Sequence, residues 1–302
     1  MSAVQEIDAK LAAGYTFPSR WYWDPAVYRL ELDHIWARSW HYVCGVDAIP
    51  DGHRLGEQSF QVVFGADGEP VATCNGAPAQ AEVWRGLVFC NADLGARSFA
   101  DTYPALEEIC RDHPFEIGDR RPAPPGGSPV AANWKIWVEN ASECYHCPAI
   151  HKHSFSDAYE VAHGIYEYVN DGPVLCQLTP PNEKAKRFGL AGAEYRYWFL
   201  FPSTFLQMDD YYTSAGRVHP TGVESCYTDG DSWLQPGLDP ELVAEWDEMW
   251  RMTMLEDIEA VAIQQPNLRS GLVPHGRLMP SSESAIAHFH RLCFEALRDQ
   301  LT

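Results

Sequence analysis

From Arg120 to Pro129 the chain reads RRPAPPGGSP, with four prolines and two glycines. Proline fixes φ and has no backbone N–H, so neither a helix interior nor a central strand can run through this stretch. The chain must break its regular structure here, and the sequence divides into 1–120 and 121–302.

The two parts carry different patterns. In the first, residues from about 25 to 40 read as a short amphipathic helix with Asp24 and Pro25 as cap and first turn. From 41 to 92, β-type runs such as FQVVF (60–64) and EVWRGLVFC (82–90) are separated by the turn signals ADGEP and CNGAP. Residues 99–113 look helical. In the second part, 133–147 passes from strand-like to helical, and 193–219 alternates as strands. Asp239-Pro240-Glu241 opens a long helix running to about Gln264 and closed by Pro266; a last helix covers about 282–299. Strands followed by one long packing helix imply an α+β fold.

Composition narrows the function. Hydrophobic residues make up 46% and aromatics 13%, ample for a core. A net charge of −20 excludes binding through phosphates and disfavours anionic membrane surfaces. The N-terminus lacks the apolar core of a signal peptide, and no apolar run approaches a membrane span. Nine scattered cysteines, an odd number, suit reduced thiols and a cytoplasmic location. No phosphate-cradling glycine loop or nucleophile elbow occurs.

The chemistry concentrates in Asn140-x2-Glu143-x2-His146-x4-His151. Spacings of three and six place Asn140, Glu143 and His146 on one face of a helix. His151 would lie about 140° from His146 on an ideal helix. The two histidines meet one metal only if the helix is distorted between them, and Pro148 stands there. Two imidazoles suit Fe, Zn, Cu or Ni, and a carboxylate would complete a facial triad with open positions. Glu256, Asp257 and Glu259 on the long helix are all candidates, and periodicity does not choose among them. Cys144 and Cys147 also flank His146, but a zinc site there needs a fourth ligand. His288 and His290 lie two apart and point to different helix faces, which suits packing rather than ligation. His153 and His163 are near the ligand segment and read as surface residues.

The segment NWKIWVENASECYHCPAIH (133–151) resembles the catalytic signature of Rieske-type ring-hydroxylating oxygenase large subunits, above all the glycine-betaine, carnitine and choline branch. LEDIEAVAIQQPNLRSGL (255–272), WYWDPAVYRLELDHIWARSWHYVCGV (21–46), WRGLVFCNAD (84–93) and MPSSESAIAHFHRL (279–292) extend the likeness over nearly the whole chain. The resemblance implies a helix-grip catalytic domain, a curved antiparallel sheet wrapped around a long helix, in 121–302. It also implies one Fe(II) per chain held by His146, His151 and Asp257, with Asn140 beside it and O2 as co-substrate. Strand residues Phe205, Gln207, Asp209 and Tyr211 would line the substrate cavity by the same analogy.

In that family a Rieske [2Fe–2S] cluster is held by Cys-x-His and, later, Cys-x2-His. Here no histidine lies between His53 and His113. Cys110-x2-His113 and Cys144-x-His146 match the two halves in the wrong order. The expectation is that 1–120 holds an N-terminal helix and a truncated β remnant of the Rieske domain without a cluster. Glu143 matches the acidic residue that bridges iron and cluster between subunits. A chain with these ligands and no cluster would take electrons from a separate Rieske-bearing subunit and/or a reductase, in a hetero-oligomer expected to be trimer-based. The expected activity is hydroxylation or oxidative demethylation of a small organic molecule. Two other readings stand beside it: a self-sufficient Fe(II) oxygenase or oxidase using substrate electrons, and a non-catalytic structural or regulatory subunit.

Overall fold

The computed structural model describes residues 2–47, 53–55, 57–112, 115–117, 119–120, 127–161, 167–184, 194–209 and 211–301. Most of the proline–glycine run, His113 and His163 lie outside them.

Helices α1 (Ala3–Ala12) and α2 (Pro25–His34) come first. Asp24 starts α2 by accepting from the Ala26 N–H, with Pro25 in the first turn. The helix is shorter than expected, and a 3-10 turn at Trp36–Arg38 follows it.

Six strands follow: β1 (His41–Gly45), β2 (His53–Leu55), β3 (Gln58–Phe64), β4 (Pro70–Cys74), β5 (Ala77–Trp84) and β6 (Leu87–Asn91). They pair antiparallel in the order β1-β6-β5-β4-β3-β2. EVWRGLVFC is a hairpin rather than the one strand expected. Trp84 pairs with Leu87, and Arg85 and Gly86 turn the chain with φ of 48° and 83°. Pro104 splits the helix expected over 99–113 into α3 (Phe99–Thr102) and α4 (Pro104–Asp112).

The second sheet has eight antiparallel strands: β7 (Asp119–Arg120), β8 (Ser128–Val130), β9 (Glu167–Asp171), β10 (Val174–Thr179), β11 (Tyr195–Leu200), β12 (Thr204–Met208), β13 (Tyr212–Gly222) and β14 (Ser225–Leu234). Their order is β7-β14-β13-β12-β11-β10-β9, with β8 also on β14. Strand side chains alternate between faces, and here both faces are covered. Leu175, Tyr195, Tyr197, Phe199 and Phe205 pack with the helices α5 (Trp134–Ala141), α7 (Pro240–Arg269) and α8 (Ser284–Leu297). Val174, Cys176, Leu178, Trp198, Leu200 and Leu206 pack against Tyr42, Leu87 and Phe89 of the first sheet and against α3 and α4. A third cluster, with Val43, Phe60, Val62 and Val88, covers the far face of the first sheet. The chain is thus α+β: a curved antiparallel sheet grips the long helix α7, and a smaller sheet backs it. The N-terminal helices α1 and α2 belong to the helical layer, where Ile7, Val27 and Leu32 are buried with α8.

Two further helix boundaries differ from expectation. NWKIWV is helical from its start, because the Asn133 side chain caps α5 by accepting from Lys135 N–H at 3.0 Å. Helix α7 runs through Pro266 to Arg269. The proline costs one intrahelical bond, but its neighbour Gln265 is tied down. Gln265 accepts from Asn133 N–H at 2.8 Å and donates to the Tyr22 carbonyl at 3.2 Å.

Helices α2 and α5 are joined by a buried ion pair. Lys135 Nζ lies 2.5 Å from Glu31 Oε1, and Trp134 Nε1 donates to Glu31 Oε2 at 2.8 Å. Burial pushes the Glu31 carboxyl up, against the pull of Lys135 and Trp134. Removing one partner leaves an uncompensated charge, whereas removing both charges does not. Lys135→Met is expected to cost about 3–5 kcal/mol in denaturant unfolding, and adding Glu31→Gln to restore much of it. Equal loss in the single and double variants would show that the pair is not coupled.

Candidate metal centre

Helix α5 stops at Ala141, and Ser142 bonds back to the Val138 carbonyl at 2.6 Å. The single helical face expected for Asn140, Glu143 and His146 is therefore absent. Asn140 sits in α5, while Glu143 and His146 sit in the turn after it. A short helix, α6 (Cys147–Ile150), then runs from His146 to His151, with Pro148 in its first turn. Pro148 starts a new helix rather than bending a continuing one.

One turn of helix brings the two imidazoles together. His146 Nε2 and His151 Nε2 are 3.1 Å apart, and Asp257 Oδ1 of α7 lies 3.4 Å and 3.1 Å from them. Metal bonds of about 2.1 Å meeting at right angles put donors about 3.0 Å apart, and tetrahedral angles about 3.4 Å. The three atoms therefore suit one divalent ion with further positions free.

The outer hydrogen bonds aim these atoms. Glu143 Oε1 accepts a hydrogen bond from His146 Nδ1–H at 2.6 Å, and Glu143 Oε2 accepts from the His146 backbone N–H at 3.0 Å. Glu256 Oε2 accepts a hydrogen bond from His151 Nδ1–H at 2.8 Å and another from Ser154 Oγ–H at 2.5 Å. With Nδ1 protonated, each Nε2 lone pair faces the common point. Asn140 Nδ2 donates to Asp257 Oδ1 at 2.8 Å. Burial opposes charge on His146, yet the bonds to Asp257 and Glu143 outweigh it and lift its pKa to about 10. Burial would raise the Asp257 carboxyl, but the bonds from His146 and His151 hold it well below the usual range.

A cavity of about 360 Å³ adjoins these donors. Trp137, Phe155, Tyr195, Tyr197, Phe205, Tyr212 and Trp250 supply aromatic walls, and Gln177, Gln207 and Ser214 supply polar points. Gly216 and Gly230 leave room beside them. A Cβ on Gly230 would lie 2.5 Å from the Ala215 carbonyl oxygen, so nothing larger fits there. Phe205 and Gln207 line this cavity. Asp209 and Tyr211 do not. Strand β12 ends at Met208, so the alternation stops. Asp209 instead accepts from the N–H groups of Tyr211 and Tyr212 and from Trp246 Nε1, while Tyr211 stacks on Trp246. A second cavity of about 310 Å³ lies on the other side of Asn140, Glu143 and His146, which line both; Glu139, Glu283 and Tyr22 line the second.

Cys144 and Cys147 are joined as a disulfide, correcting the expectation of reduced thiols at these two positions. The turn after α5 sets their Cα atoms 4.9 Å apart, within disulfide reach. The other seven cysteines are buried and not disulfide-bonded. His290 packs on Phe17 and bonds Glu139, and His288 bonds the Gly172 carbonyl oxygen, so neither joins the centre. Among the described residues no helix is long and apolar enough to cross a membrane.

The roles of Glu256 and Ser154 are not visible in sequence, because they depend on where α7 passes the His151 loop. Glu256→Gln is expected to weaken Co(II) binding about 10–100-fold in direct titration. Unchanged affinity would deny Glu256 its aiming role. The raised His146 pKa gives a second expectation. A proton bound in the metal-free protein must leave as metal enters, so binding strengthens with pH. Cobalt affinity is expected to rise about tenfold per pH unit above neutrality and to level off near pH 10. A flat profile would place no proton on the free site.

Residues 106–298 match the family model described as ring hydroxylating alpha subunit (catalytic domain). The carnitine monooxygenase oxygenase subunit of Escherichia coli strain K12 is 28% identical over 237 residues, 74% of this chain; the chain thus spans 62% of that relative's length. Chloroplastic choline monooxygenase of Amaranthus tricolor is 21% identical over 358 aligned residues, covering 95% of this chain and 79% of that protein. A quaternary ammonium Rieske monooxygenase, solved in work on carnitine oxidation, superposes with a TM-score of 0.79 at 20% identity, covering 93% and 95% of the two chains. Naphthalene 1,2-dioxygenase from a Rhodococcus species does so with 0.78 at 13% identity, covering 98% of each. The likenesses in structure show the fold, and the family match covers more than half of the chain. The chain belongs to the ring-hydroxylating alpha subunit family, of which it carries the catalytic domain.

Proposed function

We propose that this chain is the mononuclear-iron catalytic subunit of an oxygenase that hydroxylates, or oxidatively demethylates, a small organic molecule. The observation that carries the reading is the convergence of His146 Nε2, His151 Nε2 and Asp257 Oδ1 beside the aromatic cavity. Two imidazoles and one carboxylate with free positions suit Fe(II) rather than a closed structural zinc site. When bound, the iron supplies one-electron chemistry towards O2.

The protein's own groups do the rest. Glu143 and Glu256 keep both imidazoles in one tautomer, and Asn140 steadies the Asp257 carboxylate. The cavity walls exclude water and hold the substrate against the donors. Aromatic rings favour a cationic methylated amine through cation–π attraction, in keeping with the carnitine and choline relatives. Gln177, Gln207 and Ser214 would orient its polar end.

Hydroxylation of a C–H bond by O2 consumes two electrons and two protons and releases one water. An N-methyl group so hydroxylated collapses to amine and formaldehyde. We assign the electrons to a separate Rieske-bearing subunit. The support is the sequence, with no histidine between His53 and His113, and the first sheet, where Cys44, Cys74 and Cys90 are buried in an apolar cluster. Glu143 faces the second cavity as well as His146, a position from which it can pass a proton and meet a partner. Residues 1–120 would then be the N-terminal helices and a cluster-free remnant of the Rieske domain.

The test is anaerobic reconstitution with Fe(II), followed by oxygen uptake and formaldehyde release from methylated quaternary amines. The assay is run with and without the Rieske protein that co-purifies from the native host. The expected result is about one iron per chain and turnover only with the partner. Turnover without it would favour use of substrate electrons, and absence of iron would favour a non-catalytic subunit. Glu143→Gln, assayed at saturating Fe(II) because this carboxylate also aims His146, is expected to lose at least about 100-fold in partner-dependent turnover with iron bound. Full activity in that variant would remove Glu143 from the route.

A further inference from the structure

His146 lies inside a Cys-x-x-Cys sequence, Cys144-Tyr145-His146-Cys147, whose two cysteines are bonded to each other. The sulfur of Cys147 lies 3.9 Å from His146 Nε2. The donor atoms of His146, Cys147 and His151 all fall within 4.8 Å of one another. A metal bound by the two histidines therefore sits within a small side-chain shift of that sulfur. In a disulfide the sulfur has no thiolate charge and is a poor ligand. As a thiolate it is a strong one, and it favours thiophilic ions such as Zn2+ over Fe(II).

We infer that the Cys144–Cys147 disulfide decides which donors the metal centre offers. Oxidised, the centre has two histidines and Asp257, with positions left free. Reduced, Cys147 becomes a fourth donor, and the set of two nitrogens, one sulfur and one carboxylate oxygen closes into the tetrahedral arrangement that zinc prefers. This rests on reading the three donors as a metal site. The disulfide takes two electrons and two protons from a dithiol reductant, which leaves as its own disulfide. The freed Cys147 thiol gives its remaining proton to water as it binds metal. Both cysteines line the substrate cavity, so a small reductant reaches them by the substrate's route although they are otherwise buried. Thiol state and metal identity are thereby coupled at the one place where the reaction occurs.

The experiment titrates the full chain with Co2+ and with Zn2+, once oxidised and once reduced by a water-soluble phosphine. Wild type, Cys147→Ser and Cys144→Ser are compared. Reduced wild type and Cys144→Ser are expected to show a near-ultraviolet thiolate-to-cobalt charge-transfer band. Oxidised wild type and Cys147→Ser are expected to lack it. Zinc should bind at least about tenfold more tightly to reduced than to oxidised wild type, a comparison that needs no variant. Cobalt binding without the band in the reduced protein would overturn the inference and leave the metal site standing. No cobalt binding in either state would overturn both. Alkylation of all nine cysteines when the unreduced protein is unfolded in denaturant would remove the disulfide on which the inference depends.

Discussion

Helix α7 lies in the grip of the curved sheet through one inward face, formed by Trp246, Met249, Thr253, Val261 and Gln265. Asp257 stands on that same line, four residues after Thr253 and four before Val261. Burying large apolar side chains contributes about 1.5–3 kcal/mol each. Desolvating an unpaired carboxylate costs several kcal/mol. The apolar members of the face therefore anchor the helix, and the carboxylate is tolerated because Asn140 and two imidazoles meet it. If the helix rotated by one residue, Asp257 would leave the site and the apolar face would turn to water. Position of the ligand and stability of the domain are thus one constraint.

The histidine pair depends on a second constraint, the end of α5. A continuous helix would have carried His146 and His151 apart. The break at Ser142 and the fresh start at α6 put both on one turn, facing α7. The same break brings Cys144 and Cys147 into bonding distance. It also leaves Glu143 between two cavities, one walled by aromatic rings and the other holding Glu139 and Glu283. One local irregularity thereby sets the ligands, their aiming carboxylate and the neighbouring disulfide.

The layers behind the site explain why β11, YRYWFL, is apolar on both faces. Tyr195, Tyr197 and Phe199 turn to the helices and the cavity, and Trp198 and Leu200 turn to the smaller sheet. Such a run has no period of two, so its strand character is legible while its facing is not. The hairpin at Arg85-Gly86 was hidden for a related reason: an arginine with positive φ is not a usual turn signal, and only the glycine after it marks the place. At Asp209 and Tyr211 the reverse holds: the strand ends at Met208, so positions that continue its alternation no longer share its face.

The amino-acid sequence by itself determined the α+β class, the long C-terminal helix and a metal-type cluster around His146 and His151. These are properties of local spacing, capping and side-chain chemistry. The inward phase of α7 was not legible there, since periodicity leaves Glu256, Asp257 and Glu259 open and only the packed face with Trp246 and Val261 puts Asp257 inward. Only the tertiary structure decided that Glu256 and Ser154 aim His151, that two cavities share Glu143, and that Cys147 lies beside the metal donors. Each of these joins groups brought together by packing or by a helix break, and contacts of that kind leave no periodic trace along the chain.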